Sequence, residues 1–140
     1  MTRKATAHWQ GGLKDGKGSL TTASGVLSNT AYSFHTRFEQ GHGSNPEELV
    51  AAAHAGCFTM ALSAQLGQEG LTAGSIDTTA EVVMEKGDAG WTVTESRLTV
   101  EASVPGADAA KFDAAALRAK EGCPISKLLN AKISLTARLK

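Results

Sequence analysis

The sequence predicts an α+β fold, and two observations support this. Apolar and polar residues alternate with a period of two in three stretches, which is typical of half-buried strands: Ser75 to Lys86, Trp91 to Val104 and Ile133 to Leu139. Two other segments carry helix start and stop signals. Strands at both ends with helices between them indicate this class. Because the chain has 140 residues and is 41% hydrophobic, we expect a single domain covering residues 1–140.

Strands are predicted first in the N-terminal part, where glycine-rich turns separate three short segments. These segments are Lys4 to Gln10, Gly18 to Ala23 and Tyr32 to Glu39. Further along, Ser75 to Lys86 and Trp91 to Val104 are rich in Val, Thr and Ile. Only Gly87-Asp88-Ala89-Gly90 separates these two strands, so we expect a long antiparallel hairpin.

The first helix begins at Asn45-Pro46-Glu47-Glu48. Asn can cap a helix, Pro fits the first turn, and the acids favour the positive end of the helix dipole. We expect this helix to run to about Leu66, where Gly67 and Gly70 can end it. A second helix is predicted from Ala109 to Glu121, a short helical turn from Pro124 to Asn130, and a last strand from Ile133 to Leu139.

The first helix is apolar on nearly every side. Between Leu49 and Ala64 its only ionisable groups are His54 and Cys57. A helix that is apolar all round is buried all round, and a sheet covers only one face. The other face is expected to meet a second helix or a partner subunit. The apolar segment is shorter than the roughly 20 residues of a membrane span, so we interpret it as a core helix of a soluble protein.

Composition narrows the possible partners and the compartment. Fourteen basic residues balance fourteen acidic ones, which gives no electrostatic reason to expect nucleic acid or an anionic membrane as partner. The N-terminus lacks the apolar core of a secretory signal, so a cytoplasmic location is expected. In that compartment the two cysteines are more often reactive, metal-bound or incidental than joined in a permanent disulfide.

The two cysteines lie in contrasting sequence contexts. Cys57 is in the middle of the apolar helix, where a small, inert core thiol is the simplest interpretation. Cys123 lies between Gly122 and Pro124, where a new helix begins. The positive end of a helix dipole stabilises a thiolate, so local physics alone favours Cys123 as the nucleophile.

The remaining candidate residues are ambiguous when taken singly. His54 and Cys57 are three apart on one helix and share a face, which allows a Cys–His pair, two metal ligands or a simply packed histidine. A zinc site is weakly supported, because it needs four ligands and the other histidines, His8, His35 and His42, are scattered. Arg37 lies in a strand-like run, and Glu47 and Glu48 fit as helix N-terminal acids.

In combination these residues resemble one known family. Gly43-Ser44-Asn45-Pro46-Glu47-Glu48-Leu49, followed by Ala52-Ala53-His54-Ala55-Gly56-Cys57-Phe58, resembles the signature of the OsmC/Ohr family. Gly122-Cys123-Pro124-Ile125-Ser126 is similar to the second cysteine motif of that family. The opening segments resemble its OsmC branch: Ala7-His8-Trp9, Gly16-Lys17-Gly18 and Ser24-Gly25-Val26-Leu27. The resemblance extends essentially from end to end.

The resemblance implies an OsmC-like fold, with antiparallel sheets packed around a long buried central helix in an intertwined homodimer whose active sites lie at the interface. It implies peroxidase activity towards organic hydroperoxides in oxidative or osmotic stress defence, without metal, haem or flavin. It also implies electrons from small dithiols or lipoyl-bearing proteins. By position, Cys57 matches the peroxidatic cysteine, Cys123 the resolving one, and Arg37 and Glu47 the charged pair beside the reactive thiol.

Helix geometry adds an expectation of its own. Glu47 and Cys57 are ten residues apart, or about 15 Å along an unbroken helix. If both serve one site, Glu47 and with it Arg37 must come from the second chain. Arg37 would then favour the Cys57 thiolate, and Phe58, Met60 and Leu62 would form an apolar wall that selects hydrophobic peroxides. The rival interpretations are a binding protein for a small hydrophobic ligand, with structural cysteines, and a zinc-binding module.

Overall fold

The computed structural model describes residues 1–140 and confirms the α+β class. By their internal contacts the residues form two compact units, residues 1–49 and residues 50–140. Each unit contains its own three-stranded sheet. The single domain expected from the sequence therefore stays a prediction.

The first unit contains an antiparallel sheet of β1 (Ala5–Gln10), β2 (Lys17–Thr22) and β3 (Thr30–Tyr32). In its register Trp9 pairs with Gly18, which pairs with Tyr32 on the other side. The rings of Trp9 and Tyr32 pack 5.4 Å apart, centroid to centroid. A Cβ at Gly18 would lie 2.4 Å from the Tyr32 ring, so glycine is required for this contact.

The segment predicted as a third strand, Tyr32 to Glu39, is mostly helical. Helix α1 (Phe34–Phe38) begins at Ser33, which forms a capping box with Thr36. The Ser33 N–H donates to Thr36 Oγ1 at 2.8 Å, and the Thr36 N–H donates to Ser33 Oγ at 3.3 Å. These bonds satisfy backbone groups at the helix start, so they favour a helix despite the alternating pattern. Arg37 consequently lies in a helix and not in a strand.

Helix α2 (Pro46–Gln68) has the expected start and a slightly later end. The Glu48 N–H donates to Asn45 Oδ1 at 2.8 Å, which is the predicted cap. Two residues beyond the end of the helix, Gly70 has φ of +72°, and the Leu71 N–H donates to the Leu66 carbonyl at 2.9 Å, so glycine terminates the helix as predicted.

The second sheet contains β4 (Ser75–Gly87), β5 (Gly90–Ser103) and β6 (Lys132–Leu139), in the order β4-β5-β6. Strands β4 and β5 form the predicted hairpin, with Gly87 opposite Gly90. Strand β6 runs parallel to β5, which differs from the all-antiparallel arrangement that the resemblance implied. A parallel neighbour needs a crossover connection, and α3 (Ala109–Gly122) and α4 (Pro124–Leu128) supply it.

Only one face of α2 is buried in the single chain. His54, Phe58, Leu62 and Leu66, spaced by four, are fully buried. The apolar ones form a core with residues of β5 and α3: Leu98, Val100, Ala102, Phe112, Ala115, Ala116 and Ala119. The opposite face is exposed, and Met60 on that face is 77% accessible. No second helix of the same chain covers this face, so its burial against a partner subunit stays a prediction.

The length of α2 bears on whether this helix could cross a membrane. At 23 residues, α2 is long and apolar enough to cross a membrane, by length and composition only. The apolar segment from Leu49 to Ala64, on which the sequence prediction was based, is the shorter central part of this helix. The core helix of a soluble protein passes the same test, and the buried face of α2 contributes three of the largest core side chains: Phe58, Leu62 and Leu66.

Candidate active site

The two cysteine side chains meet, although 66 positions separate them in the sequence. The Sγ atoms of Cys57 and Cys123 lie 2.8 Å apart, and both thiols are free. A disulfide bond is about 2.05 Å long, so the two sulfur atoms are within reach of bond formation after a small approach. Cys57 is partly exposed, whereas Cys123 is fully buried.

Two helix features hold these thiols in place. Cys57 lies on α2, one turn beyond His54 and next to the core residue Phe58. Cys123 lies at the junction of two helices, as the C-cap of α3 and the N-cap of α4. Its N–H donates to the Ala119 carbonyl at 2.9 Å, and Pro124 occupies the first turn of α4. A new helix begins after Cys123 as predicted, and the thiol is buried where the two helices meet.

The surroundings of Cys57 favour its protonated form. Burial raises the pKa of the Cys57 thiol, and the hydrogen bond with Cys123 raises this pKa further. A hydrogen bond from the Ile125 backbone N–H acts in the opposite direction, because it stabilises the thiolate. The net pKa is raised. The groups that surround Cys57 in this unit therefore oppose formation of its thiolate.

His54 does not form the Cys–His pair that its spacing allowed. Its Nδ1 lies 2.7 Å from Ser96 Oγ and its Nε2 lies 2.8 Å from Ser126 Oγ, so each ring nitrogen is hydrogen-bonded to a serine hydroxyl. The ring is fully buried, and burial lowers the pKa of His54. The imidazole is therefore neutral at pH 7. The packed histidine is the correct interpretation, but its two partners were not predicted from sequence.

A charged pair lies in the first unit. Arg37 Nη2 lies 2.9 Å from Glu47 Oε1, and Arg37 Nε lies 3.2 Å and 3.3 Å from the two carboxylate oxygens. The guanidinium carbon also lies 5.2 Å from the centre of the Phe38 ring. Such multiple contacts fix the direction of a guanidinium group. Arg37 and Glu47 therefore form an ion pair, as the resemblance implied. Glu48 instead lies in the first turn of α2, where its N–H is capped by Asn45.

The Arg37 side chain borders an aromatic cleft within the first unit. The cleft has a volume of about 310 Å³ and is lined by Trp9, Leu13, Tyr32, Ser33, Phe34, Arg37 and Phe38. Leu13 is 69% exposed, so apolar surface is accessible next to a cation. None of these aromatic residues was predicted from the sequence to line a cleft, because they come from two separate segments of the chain, Trp9 in one and Tyr32, Phe34 and Phe38 in the other.

The apolar wall predicted around Cys57 is only partly found in the structure. Phe58 and Leu62 are fully buried in the core, so of the three predicted wall residues only Met60 faces outwards.

No group of three or more His, Cys, Asp or Glu side chains among residues 1–140 could hold a metal ion. Helix α2 runs unbroken from Pro46 to Gln68, so about 15 Å of helix separates Glu47 from Cys57.

Comparison with known proteins gives consistent matches. The family model described as OsmC-like protein matches residues 39–138. Peroxiredoxin OsmC of Escherichia coli K12 is 53% identical over 138 residues, covering 99% of this chain and 96% of the relative. An organic hydroperoxide resistance protein of Xanthomonas axonopodis pv. citri is 34% identical over 102 residues, covering 71% of this chain and 68% of that protein.

The fold is similar to that of solved structures. The organic hydroperoxide resistance protein OhrB of Bacillus subtilis superposes with a TM-score of 0.71 at 25% identity. The match covers 100% of this chain and 98% of that one. The OsmC-like fold expected from the sequence motifs is confirmed.

Proposed function

This chain belongs to the OsmC-like protein family and is a cysteine-based peroxidase, and we propose that it reduces organic hydroperoxides through Cys57 and Cys123. The observation that carries this proposal is the 2.8 Å separation of the two free thiols. A partly exposed thiol beside a fully buried one provides one sulfur that a peroxide can reach and a second sulfur that can form a disulfide with it.

The reaction follows from this arrangement in three steps. The Cys57 thiolate attacks the O–O bond of the hydroperoxide, which breaks; one oxygen leaves as the alcohol and the other remains on sulfur as a sulfenic acid. The Cys123 thiol then condenses with the sulfenic acid, which forms the disulfide and releases water. An external dithiol, either a small molecule or a lipoyl group, reduces the disulfide and regenerates both thiols.

Activation of Cys57 is assigned to Arg37, with Glu47 as its orienting partner. A guanidinium near a thiol favours the thiolate, which offsets the raised pKa of Cys57. Glu47 and Cys57 are separated by ten residues of unbroken helix, so one chain cannot bring both to one place. We therefore assign the Arg37–Glu47 pair at each site to the second chain of a homodimer.

The exposed face of α2 supports a homodimer. It consists of small or flexible residues, namely Ala52, Ala53, Gly56, Met60, Ser63 and Ala64. A cleft lined by Gly56, Met60 and residues of β4 lies beside this face. Small residues allow close helix approach, and the exposed residues from Ala52 to Ala64 carry no charge. We place the protein in the cytoplasm, where dithiol reductants are maintained.

The test measures consumption of cumene hydroperoxide with a dithiol, for wild type, Cys57→Ser and Cys123→Ser. Wild type should turn over, and Cys57→Ser should lose activity completely, because no other thiol is accessible. Cys123→Ser should still form one Cys57 sulfenic acid per chain, detectable by dimedone labelling and mass spectrometry. Turnover that survives Cys57→Ser would refute the assignment. No turnover in fully reduced wild type would favour a ligand-binding protein.

A further inference from the structure

Helix α4, which begins next to the buried thiol, has very little apolar anchoring. None of its five residues is buried, and Leu128 is 74% exposed. The fully buried residue next to it is Cys123, at its N-cap. Short segments with few buried contacts open easily. The position of α4 therefore depends strongly on its polar contacts.

His54 provides such a contact from inside the core. The fully buried ring is bonded to Ser96 on strand β5 at 2.7 Å and to Ser126 on α4 at 2.8 Å. Strand β5 lies in the middle of its sheet, so Ser96 is held firmly. The imidazole thus connects a fixed strand to a loosely packed helix. Because a buried ring nitrogen without a partner is costly, movement of Ser126 away from His54 is opposed.

The His54–Ser126 contact lies beside the thiol pair. His54 precedes Cys57 by three residues on α2, and Ser126 follows Cys123 by three residues into α4. Residues three apart on a helix share a face, so the two contacts bridge the same pair of segments about one turn apart. The Ile125 N–H, also on α4, donates to Cys57. A displacement of α4 that breaks the His54–Ser126 bond would therefore also separate the sulfur atoms.

We propose that His54 is a positioning residue: through Ser126 it holds α4 so that Cys123 stays aligned with Cys57 for disulfide formation. The proposal deepens the peroxidase function, on which its catalytic meaning rests. In that cycle the sulfenic acid of Cys57 either condenses with Cys123 and releases water, or meets a second peroxide and becomes a sulfinic acid. Alignment of Cys123 favours the first outcome, so His54 protects the enzyme from inactivation.

The alignment is testable without any peroxide. Reduced full-length protein is equilibrated with oxidised and reduced glutathione; formation of one Cys57–Cys123 disulfide reduces one oxidised glutathione to two reduced molecules. The variant is Ser126→Ala, which removes a partly exposed hydroxyl and should fold. Loss of one buried hydrogen-bond partner should lower the equilibrium constant for disulfide formation about tenfold. Ser126→Thr, which keeps the hydroxyl, should restore most of this constant.

Thr59→Val is the matched control. The Thr59 hydroxyl also joins α2 to a strand, at 2.7 Å from Thr78 Oγ1, but it does not contact α4. Its loss should change thermal stability while leaving the disulfide equilibrium within about twofold of wild type. A Ser126→Ala equilibrium constant equal to that of wild type, or a Thr59→Val constant reduced equally, would overturn the proposal.

A second measurement connects the alignment to the catalytic cycle. In a single turnover with cumene hydroperoxide, Ser126→Ala should still form the sulfenic acid on Cys57. Its conversion to the disulfide should be about tenfold slower, and sulfinic acid should accumulate with excess peroxide. A wild-type protein that forms the Cys57–Cys123 disulfide normally in the glutathione buffer but consumes no peroxide would refute the peroxidase function and leave the role of His54 in thiol alignment intact.

Discussion

At the scale of single residues, the main question is how Cys57 becomes reactive when its own unit opposes ionisation. Burial and the bond with Cys123 both raise its pKa, and the Ile125 N–H only partly offsets them. Arg37 is already oriented by Glu47, through three contacts of 2.9 to 3.3 Å. An oriented guanidinium placed near the thiol loses little entropy when it stabilises the thiolate.

Replacement of Arg37 by Ala should therefore slow alkylation of Cys57 by iodoacetamide at pH 7 by about tenfold or more, because nearby charges shift a thiol pKa by one or more units. The pH profile of the alkylation rate should move to higher pH. Arg118→Ala is the matched control, since Arg118 also pairs with a carboxylate, at 2.8 Å from Glu69. Equal profiles for both variants would show that Arg37 does not act on Cys57.

At the scale of secondary-structure elements, local signals predicted the ends of helices and hairpins well. The Asn45 cap and the Gly87–Gly90 turn are encoded within a few residues, so they could be read directly from sequence. Helix α1 was missed because Phe34-His35-Thr36-Arg37-Phe38 alternates like a strand, while the deciding capping box involves Ser33 and Thr36. The parallel pairing of β5 and β6 depends on contacts between distant segments, which local patterns do not encode.

The site shows the same division between local and long-range information. Cys57, Cys123, Arg37 and Glu47 were identified only because their motifs resemble a family; local physics favoured Cys123 as the nucleophile. Cys57 and Cys123 are brought together over 66 positions, and His54 and Ser126 over 72. Neither spacing leaves a local signature. Ser96 had no sequence signal at all, because it is one of several hydroxyl residues on a strand.

The exposed face of α2 leads to a prediction at the same scale. Met60 is 77% exposed in the single chain and lies on the face assigned to the homodimer. Met60→Arg should shift the protein from dimer to monomer in light scattering and lower peroxidase activity at least tenfold, because the buried charge would lack a partner. Leu117→Arg, a comparable change at a 48% exposed position on α3, should leave the dimer intact. A dimeric, active Met60→Arg protein would contradict this interface.

At the scale of the whole molecule, reactivity and stability depend on different groups. Cys57 and the Arg37–Glu47 pair are partly exposed, whereas the neutral imidazole of His54 is fully buried in the core. Its two partners are serine hydroxyls, which carry no negative charge that could offset the positive charge of a protonated ring. Protonation of His54 is therefore opposed in the folded chain but not in the unfolded chain.

This difference makes the stability of the folded chain dependent on pH. Burial lowers the pKa of His54 in the folded chain below 6.5, the value expected in the unfolded chain. Between the folded and the unfolded pKa, the unfolded chain binds up to one more proton than the folded chain. The free energy of unfolding should therefore decrease as pH falls below about 6.5, by up to about 1.4 kcal/mol per pH unit from this group. Urea titrations between pH 7.5 and 5.5 should show this slope in wild type and a flatter one in His54→Gln. The slope is the diagnostic quantity, since the substitution also changes the absolute stability, and identical slopes would mean that His54 already carries a proton in the folded state.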